Sequence, residues 1–207
     1  MSESFVQPSS LVLASRSPRR KNLLQQIGLR FESIASDVDE IIDIPVSPEE
    51  HVMILAERKA RDVAFRLTGG VVIGADTIVV HDDEIIEKPT SEDDAVRILQ
   101  RLSAQRHDVY TGFSLVEVPG MRTLTRFERT KVWFRRLDTD EIISYVQSGS
   151  PMDKAGAYGI QDDFGAVFVR KIVGDFYNVM GLPLSRFYCS LKEFTQTPPE
   201  TDGIELA

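Results

Sequence analysis

A single cysteine, Cys189, stands among 207 residues. No disulfide can form within the chain, and a reducing compartment is its natural setting. Histidine is almost as scarce: His51, His81 and His107 are widely separated. With one thiol they cannot assemble a Cys/His zinc cluster, which leaves oxygen ligands for any metal. No apolar run approaches the roughly 20 residues that span a bilayer. The opening MSESFVQPSS has neither the basic start nor the long apolar stretch of a signal peptide. The expectation is a cytoplasmic protein with no membrane partner. Basic charge is in deficit, with 24 Lys and Arg against 32 Asp and Glu and a net charge of −8. That balance argues against a broad surface for polymeric nucleic acid. Basic residues that converge locally can still hold a small anion.

What is present is ordinary globular composition, 42% hydrophobic and 27% charged, without repeats of solenoid period. Helix and strand signals alternate. Leu11–Ser15 predicts a short buried strand, and Ser17-Pro18 caps a helix that Gly28 closes. Phe31–Ala35 predicts a second strand. Ser47-Pro48-Glu49-Glu50 carries a capping box, followed by an apolar stripe through Val52, Leu55, Ala56, Ala60, Val63, Ala64 and Leu67. Val71–Ala75 is apolar throughout, as a strand covered on both faces should be. Ile78–Val80 and Ile85-Ile86 flank a polar turn, a hairpin signal. Ser91 caps a further helix. Val109–Val118 and Thr123–Phe134 predict long strands, Asp138–Val146 a helix, Ala166–Ile172 a strand and Pro183–Phe194 a last helix. The sum is an α/β chain with a mixed sheet and helices on its faces, without the regular alternation of a doubly wound fold. A domain over residues 11–194, two lobes around a cleft, is expected between loose termini at 1–10 and 195–207.

Three segments carry chemistry. Ala14-Ser15-Arg16-Ser17-Pro18-Arg19-Arg20 sets two arginines in the first turn of a helix. Cations are misplaced there for stability, but helix-end N–H groups and guanidinium forks together suit phosphate; a solvated basic helix start is the alternative. Gly74-Ala75-Asp76-Thr77 delivers an aspartate at the carboxyl end of an apolar strand, where α/β sheets place ligand sites. The two small residues before it allow close approach to the backbone; a turn-capping aspartate is the alternative. Pro151-Met152-Asp153-Lys154-Ala155-Gly156-Ala157-Tyr158-Gly159-Ile160-Gln161 is a small-residue loop. Its Gln161 amide can match the N–H and C=O edge of a pyrimidine; an ordered structural loop is the alternative. Lys59 in LAERKA and Lys88 in EKP are weak signals by themselves.

Together LASRSPRR, LAERKA, VIGADTIV, EKP, LQRLSAQRHDVYTG and PMDKAGAYGIQ, in that order, resemble the Maf (septum-formation inhibitor) family of nucleotide pyrophosphatases from Leu11 to about Phe194. The resemblance implies an α/β fold with a mixed sheet and a central cleft, related to the inosine triphosphate pyrophosphatases. It implies hydrolysis of a nucleoside triphosphate to monophosphate and pyrophosphate, with Asp76 as proton acceptor and Arg19, Thr77 and Gln161 setting substrate choice. Asp76-Thr77 and the Gln161 ending resemble the branch acting on dTTP and UTP, in contrast to one acting on 7-methyl-GTP. Ser15, Arg19, Arg20, Lys59, Lys88 and Lys154 are the expected phosphate holders. An aspartate of ordinary basicity needs a divalent cation, Mg or Mn, to activate water; Asp76 and Glu40, in the acidic Asp37–Glu40 stretch, are the candidate ligands, with a merely solvated acidic stretch as the alternative for Glu40. A homodimer is an assembly the sequence leaves open. A purine-directed pyrophosphatase and a non-catalytic nucleotide-binding regulator of cell division stand as alternatives.

Overall fold

The computed structural model describes residues 7–161 and 163–196. Its organising element is β3, Gly70–His81, which runs antiparallel to β5, Arg106–Val118, over its length. A short parallel pair, β1 (Leu11–Leu13) and β2 (Glu32–Ser33), extends the sheet beyond β3. On the other side β5 pairs with β6 (Thr123–Phe134) and β6 with β7 (Val169–Val173), both antiparallel. The order is β2-β1-β3-β5-β6-β7, with β4 (Glu84–Ile86) folded back on the end of β3. This is the mixed α/β sheet expected. The hairpin signal is also realised: Asp82 and Asp83 take positive φ in a two-residue turn, and Val80 pairs with Ile85.

Helices cover both faces. α1 (Pro18–Gln26) and α2 (Pro48–Ala64) begin at Ser17 and Ser47, whose side chains accept from the backbone N–H groups of Arg20 and Glu50. The predicted stripe of α2 buries Val52, Leu55, Ala56, Ala60, Val63 and Ala64, several against Val72 and Val116 of the sheet. α3 (Glu92–Leu102) and α4 (Thr139–Gln147) pack on the opposite face over Val79, Val109, Val132 and Phe134. On that face also lie α1 and α6 (Leu184–Gln196), whose Leu23, Leu24, Phe187 and Leu191 meet Ile73, Phe113 and Leu115. α5 (Phe176–Met180), a single turn or so, precedes α6. No helix among the described residues is long and apolar enough to cross a membrane.

Four expectations change. Val71–Ala75 and Ile78–Val80 are one strand, because β5 pairs with β3 without a break from Gly70 to Val80. Asp76 thus lies mid-strand, not at a carboxyl end. β2 shrinks to Glu32–Ser33, both exposed, because β1 offers only two partners. Residues 163–168 form 3-10 turns, so β7 begins only at Val169. At the termini, α6 includes Thr195 and Gln196, and Ser10 accepts from the backbone N–H of Val71. The remaining residues expected to be loose, 1–6 and 197–207, lie outside the described residues.

Candidate active site

The two short neighbours of β3 on one edge leave a gap. β1 pairs with Val71–Ile73 and β4 with Val79–His81, so no strand among the described residues lies beside Gly74–Ile78 there. A cleft of about 870 Å³ opens at that gap. Because side chains alternate along a strand, Asp76 and Thr77 leave the backbone on opposite faces. The cleft wraps the exposed edge and reaches both.

On the face of Asp76, Gly74 brings α2 close. A Cβ at Gly74 would fall 2.1 Å from the Ala56 carbonyl oxygen, so the close approach to the backbone that the small residue predicts is made by the helix. One turn further along α2, Lys59 reaches Asp76: its Nζ lies 2.7 Å from Asp76 Oδ1 and 2.8 Å from Glu40 Oε1. Asp76 is only 6% exposed, and a carboxylate so buried requires such a partner. Glu40 is exposed, in the chain that leads from β2 to α2.

On the face of Thr77 stands Arg20. Its Nη2 donates to Thr77 Oγ1 at 3.0 Å and its Nε to the carbonyl of Gly181 at 2.9 Å. Gly181 ends α5 at φ 117°, a conformation that favours glycine. Burial holds the Arg20 guanidinium below its ordinary pKa, reinforced by Arg19 and opposed by Asp76 and Glu40. Between the faces lies the start of α1, where Ser15 Oγ accepts from the backbone N–H of Ser17 at 3.1 Å.

Arg19 crosses to the 151–161 segment. Its Nη1 donates to Asp153 Oδ2 at 2.8 Å, and Lys154 Nζ donates to Asp153 Oδ1 at 2.9 Å. Gly156, at φ 71°, sits tightly over Val79: a Cβ there would come within 2.8 Å of Val79 Cγ2. Tyr158 is buried, its hydroxyl 2.8 Å from His107 Nε2. Burial pushes that phenol up and drives the His107 imidazole down to about 3, so neither carries charge near neutrality. Gln161 is half-buried at the cleft wall, and Lys88 is exposed at its rim.

Ser15, Arg19, Arg20, Glu40, Lys59, Asp76, Thr77, Lys88, Lys154 and Gln161, scattered over almost 150 positions, therefore line one cleft. Sequence reasoning missed Asp153 as the shared partner of Arg19 and Lys154, and it missed Thr111 and Asn178 behind Thr77. Nothing in the local pattern marks these, since each matters through a neighbour distant in sequence.

Comparison with known proteins follows the same segments. The Maf-like protein family matches residues 10–194. A protein of Salinibacter ruber named dTTP/UTP pyrophosphatase is 50% identical over 88% of this chain and 89% of its own. Proteins of the same name from a Geobacillus species and from Bacillus cereus are 49% and 46% identical, over 85% and 89% of this chain and 93% and 95% of theirs. Among solved structures, the Staphylococcus aureus Ham1 protein aligns with 60% of this chain and 71% of its own at 17% identity, with a TM-score of 0.43. The family match spans nearly the whole chain and its relatives are about half identical, so the chain belongs to the Maf-like protein family.

Proposed function

We propose that this chain is a nucleoside triphosphate pyrophosphatase that hydrolyses dTTP and UTP to the monophosphate and pyrophosphate, with Asp76 as the base. One observation carries the reading: a buried aspartate and six cationic side chains face a single cleft at an open sheet edge, in a protein whose net charge is −8. The names of its relatives support the substrate class. The single cysteine supports a reducing, cytoplasmic setting.

The two faces of β3 divide the labour. The base lies against Thr77 and Gln161, and the triphosphate passes over the open edge, by Arg19, Arg20 and the start of α1, toward Asp76. Lys59 holds Asp76 Oδ1 and so orients Oδ2. A water proton passes to Oδ2 as the water oxygen bonds to phosphorus. The bridging P–O bond between the α and β phosphates breaks, giving monophosphate and pyrophosphate. Arg19, Lys59, Lys88 and Lys154 offset the phosphate charge as it redistributes.

Glu40 and Asp76 suit a divalent cation, Mg or Mn. Their carboxylates already converge on one cation, the Lys59 ammonium. No cluster of three or more metal-binding side chains occurs among the described residues. One or two carboxylates completed by phosphate and water oxygens is the usual magnesium arrangement. Bound there, the ion would acidify water and neutralise phosphate.

The test is a panel of nucleoside triphosphates assayed for pyrophosphate release with and without excess EDTA. Metal-dependent release from dTTP and UTP is expected. Release of single phosphate, full activity in EDTA, or a preference for purines would overturn the reading. Binding without turnover would favour a regulator.

A further inference from the structure

A line of hydroxyl groups leads from the cleft into the core. Arg20 Nη2 donates to Thr77 Oγ1 at 3.0 Å, Thr77 Oγ1 and Thr111 Oγ1 are 2.9 Å apart, and Thr111 Oγ1 is 2.9 Å from the backbone carbonyl of Asn178. The chemistry of the two ends fixes the direction of every proton. A carbonyl oxygen only accepts, so the one hydroxyl proton of Thr111 is committed to Asn178. Thr111 can then only accept from Thr77, which commits the proton of Thr77 inward. At the other end a guanidinium only donates, which agrees. Thr77 therefore turns a lone pair, and no proton, toward a ligand.

The inner end is built to stay put. Thr111 and Asn178 are both 0% exposed. The Asn178 amide donates to the Val109 carbonyl and to Thr130 Oγ1, each at 3.0 Å, and Thr130 Oγ1 in turn bonds the Asp175 backbone. Register places Thr111 directly across from Thr77 on the same face of the sheet. A buried polar chain of this kind is satisfied only in one proton arrangement, which makes it directional.

We propose that Thr111 is a positioning residue for base selection. By holding Thr77 as a pure acceptor, it favours a base that offers an N–H at its pairing edge. Uracil and thymine carry N3–H, whereas cytosine carries a lone pair at N3 and would face Thr77 acceptor against acceptor. The inference rests on the pyrimidine reading above and extends it one layer behind the cleft.

The experiment compares kcat/KM for UTP and CTP in wild type, Thr111→Val and Thr111→Ser, each with a thermal melt. The wild type is expected to prefer UTP. Valine keeps the shape but frees the Thr77 proton, so the UTP to CTP ratio is expected to fall about tenfold, the scale set by an unpaired buried polar group. Serine keeps the hydroxyl and is expected to keep the ratio. Thr111→Ala gives the same readout should the valine variant not fold. An unchanged ratio in the hydroxyl-free variants would overturn the proposal, as would an equal loss in the serine variant, which would make Thr111 a packing residue. If wild type prefers UTP and these outcomes occur, the pyrimidine reading survives. If wild type hydrolyses neither nucleotide, both fall.

Discussion

Gly74 and Ala56 are in contact so close that no other residue fits at position 74: an added Cβ would lie 2.1 Å from the Ala56 carbonyl oxygen and 2.7 Å from the Ala60 nitrogen. Backbone is on the receiving end, so α2 as a whole must move. Overpacking of this kind typically costs about 1–3 kcal/mol. Since Lys59 meets Asp76 from the same helix, Gly74→Ala should lower both the melting temperature and kcat. Gly69→Ala, where a Cβ meets nothing within 4 Å among the described residues, should change neither. Equal melts for the two variants would mean that α2 is not seated as described.

Asp76→Asn keeps the shape of the side chain but cannot take the proton. Loss of a general base usually costs about 10²–10⁴ in rate. The variant should fold, since Lys59 retains Glu40, and should still bind UTP. Near-normal kcat would move the base elsewhere, with Glu40 the first place to look.

How far the sequence could be read depends on range. The caps at Ser17, Ser47 and Ser91 and the hairpin at Asp82-Asp83 are local, and the structure has them where the residues predict. Asp76 was marked by its apolar approach, yet its place in mid-strand depends on β5, which lies some thirty positions onward. Gly74 predicts a close approach to the backbone and the structure has one, but a glycine does not record that what comes close is a helix. The cluster at the cleft was legible only as a family resemblance, since no spacing brings Lys59, Arg19 and Gln161 together. Asp153 and Thr111 were invisible as site residues, since each acts through partners up to 134 positions away.

The buried imidazole of His107 gives a pH dependence. It packs edge-on against Phe134 and Tyr158, and burial, with His81 adding and Asp108 opposing, lowers it from 6.5 to about 3. Its folded value lies below its unfolded value, so the unfolded chain takes up the proton first as pH falls. Stability from this group is complete above about 6.5 and is lost progressively toward 3, at about 1.4 kcal/mol per pH unit. Urea unfolding at pH 7.5 and 5.5 should therefore show a smaller loss for His107→Gln than for wild type, by on the order of 1 kcal/mol. Identical losses would mean that His107 is not held neutral in the fold.

Asp153 competes with the substrate for its own binding groups. It accepts from Arg19 at 2.8 Å and from Lys154 at 2.9 Å, two of the cations assigned to phosphate. Burial alone would raise its carboxyl, but those two partners outweigh it and hold the group below the usual carboxylate range. It is therefore ionised wherever the enzyme would work, and it repels the triphosphate that must share its partners. Asp153→Asn keeps an acceptor for Arg19 and removes the charge. A partly exposed pair of this kind is worth up to about 1 kcal/mol, so KM for UTP should fall by up to about fivefold at low ionic strength. The difference should shrink as salt screens the charges. The same gain should appear in Kd measured in the inactive Asp76→Asn background, which separates binding from turnover. Glu84→Gln, in a pair with Arg101 neither of which lines the cleft, should leave KM unchanged. A KM that rises in Asp153→Asn would reverse the assignment: the carboxylate would then be what aims Arg19 at the phosphates, and its charge would be part of the site's geometry instead of a rival to the ligand.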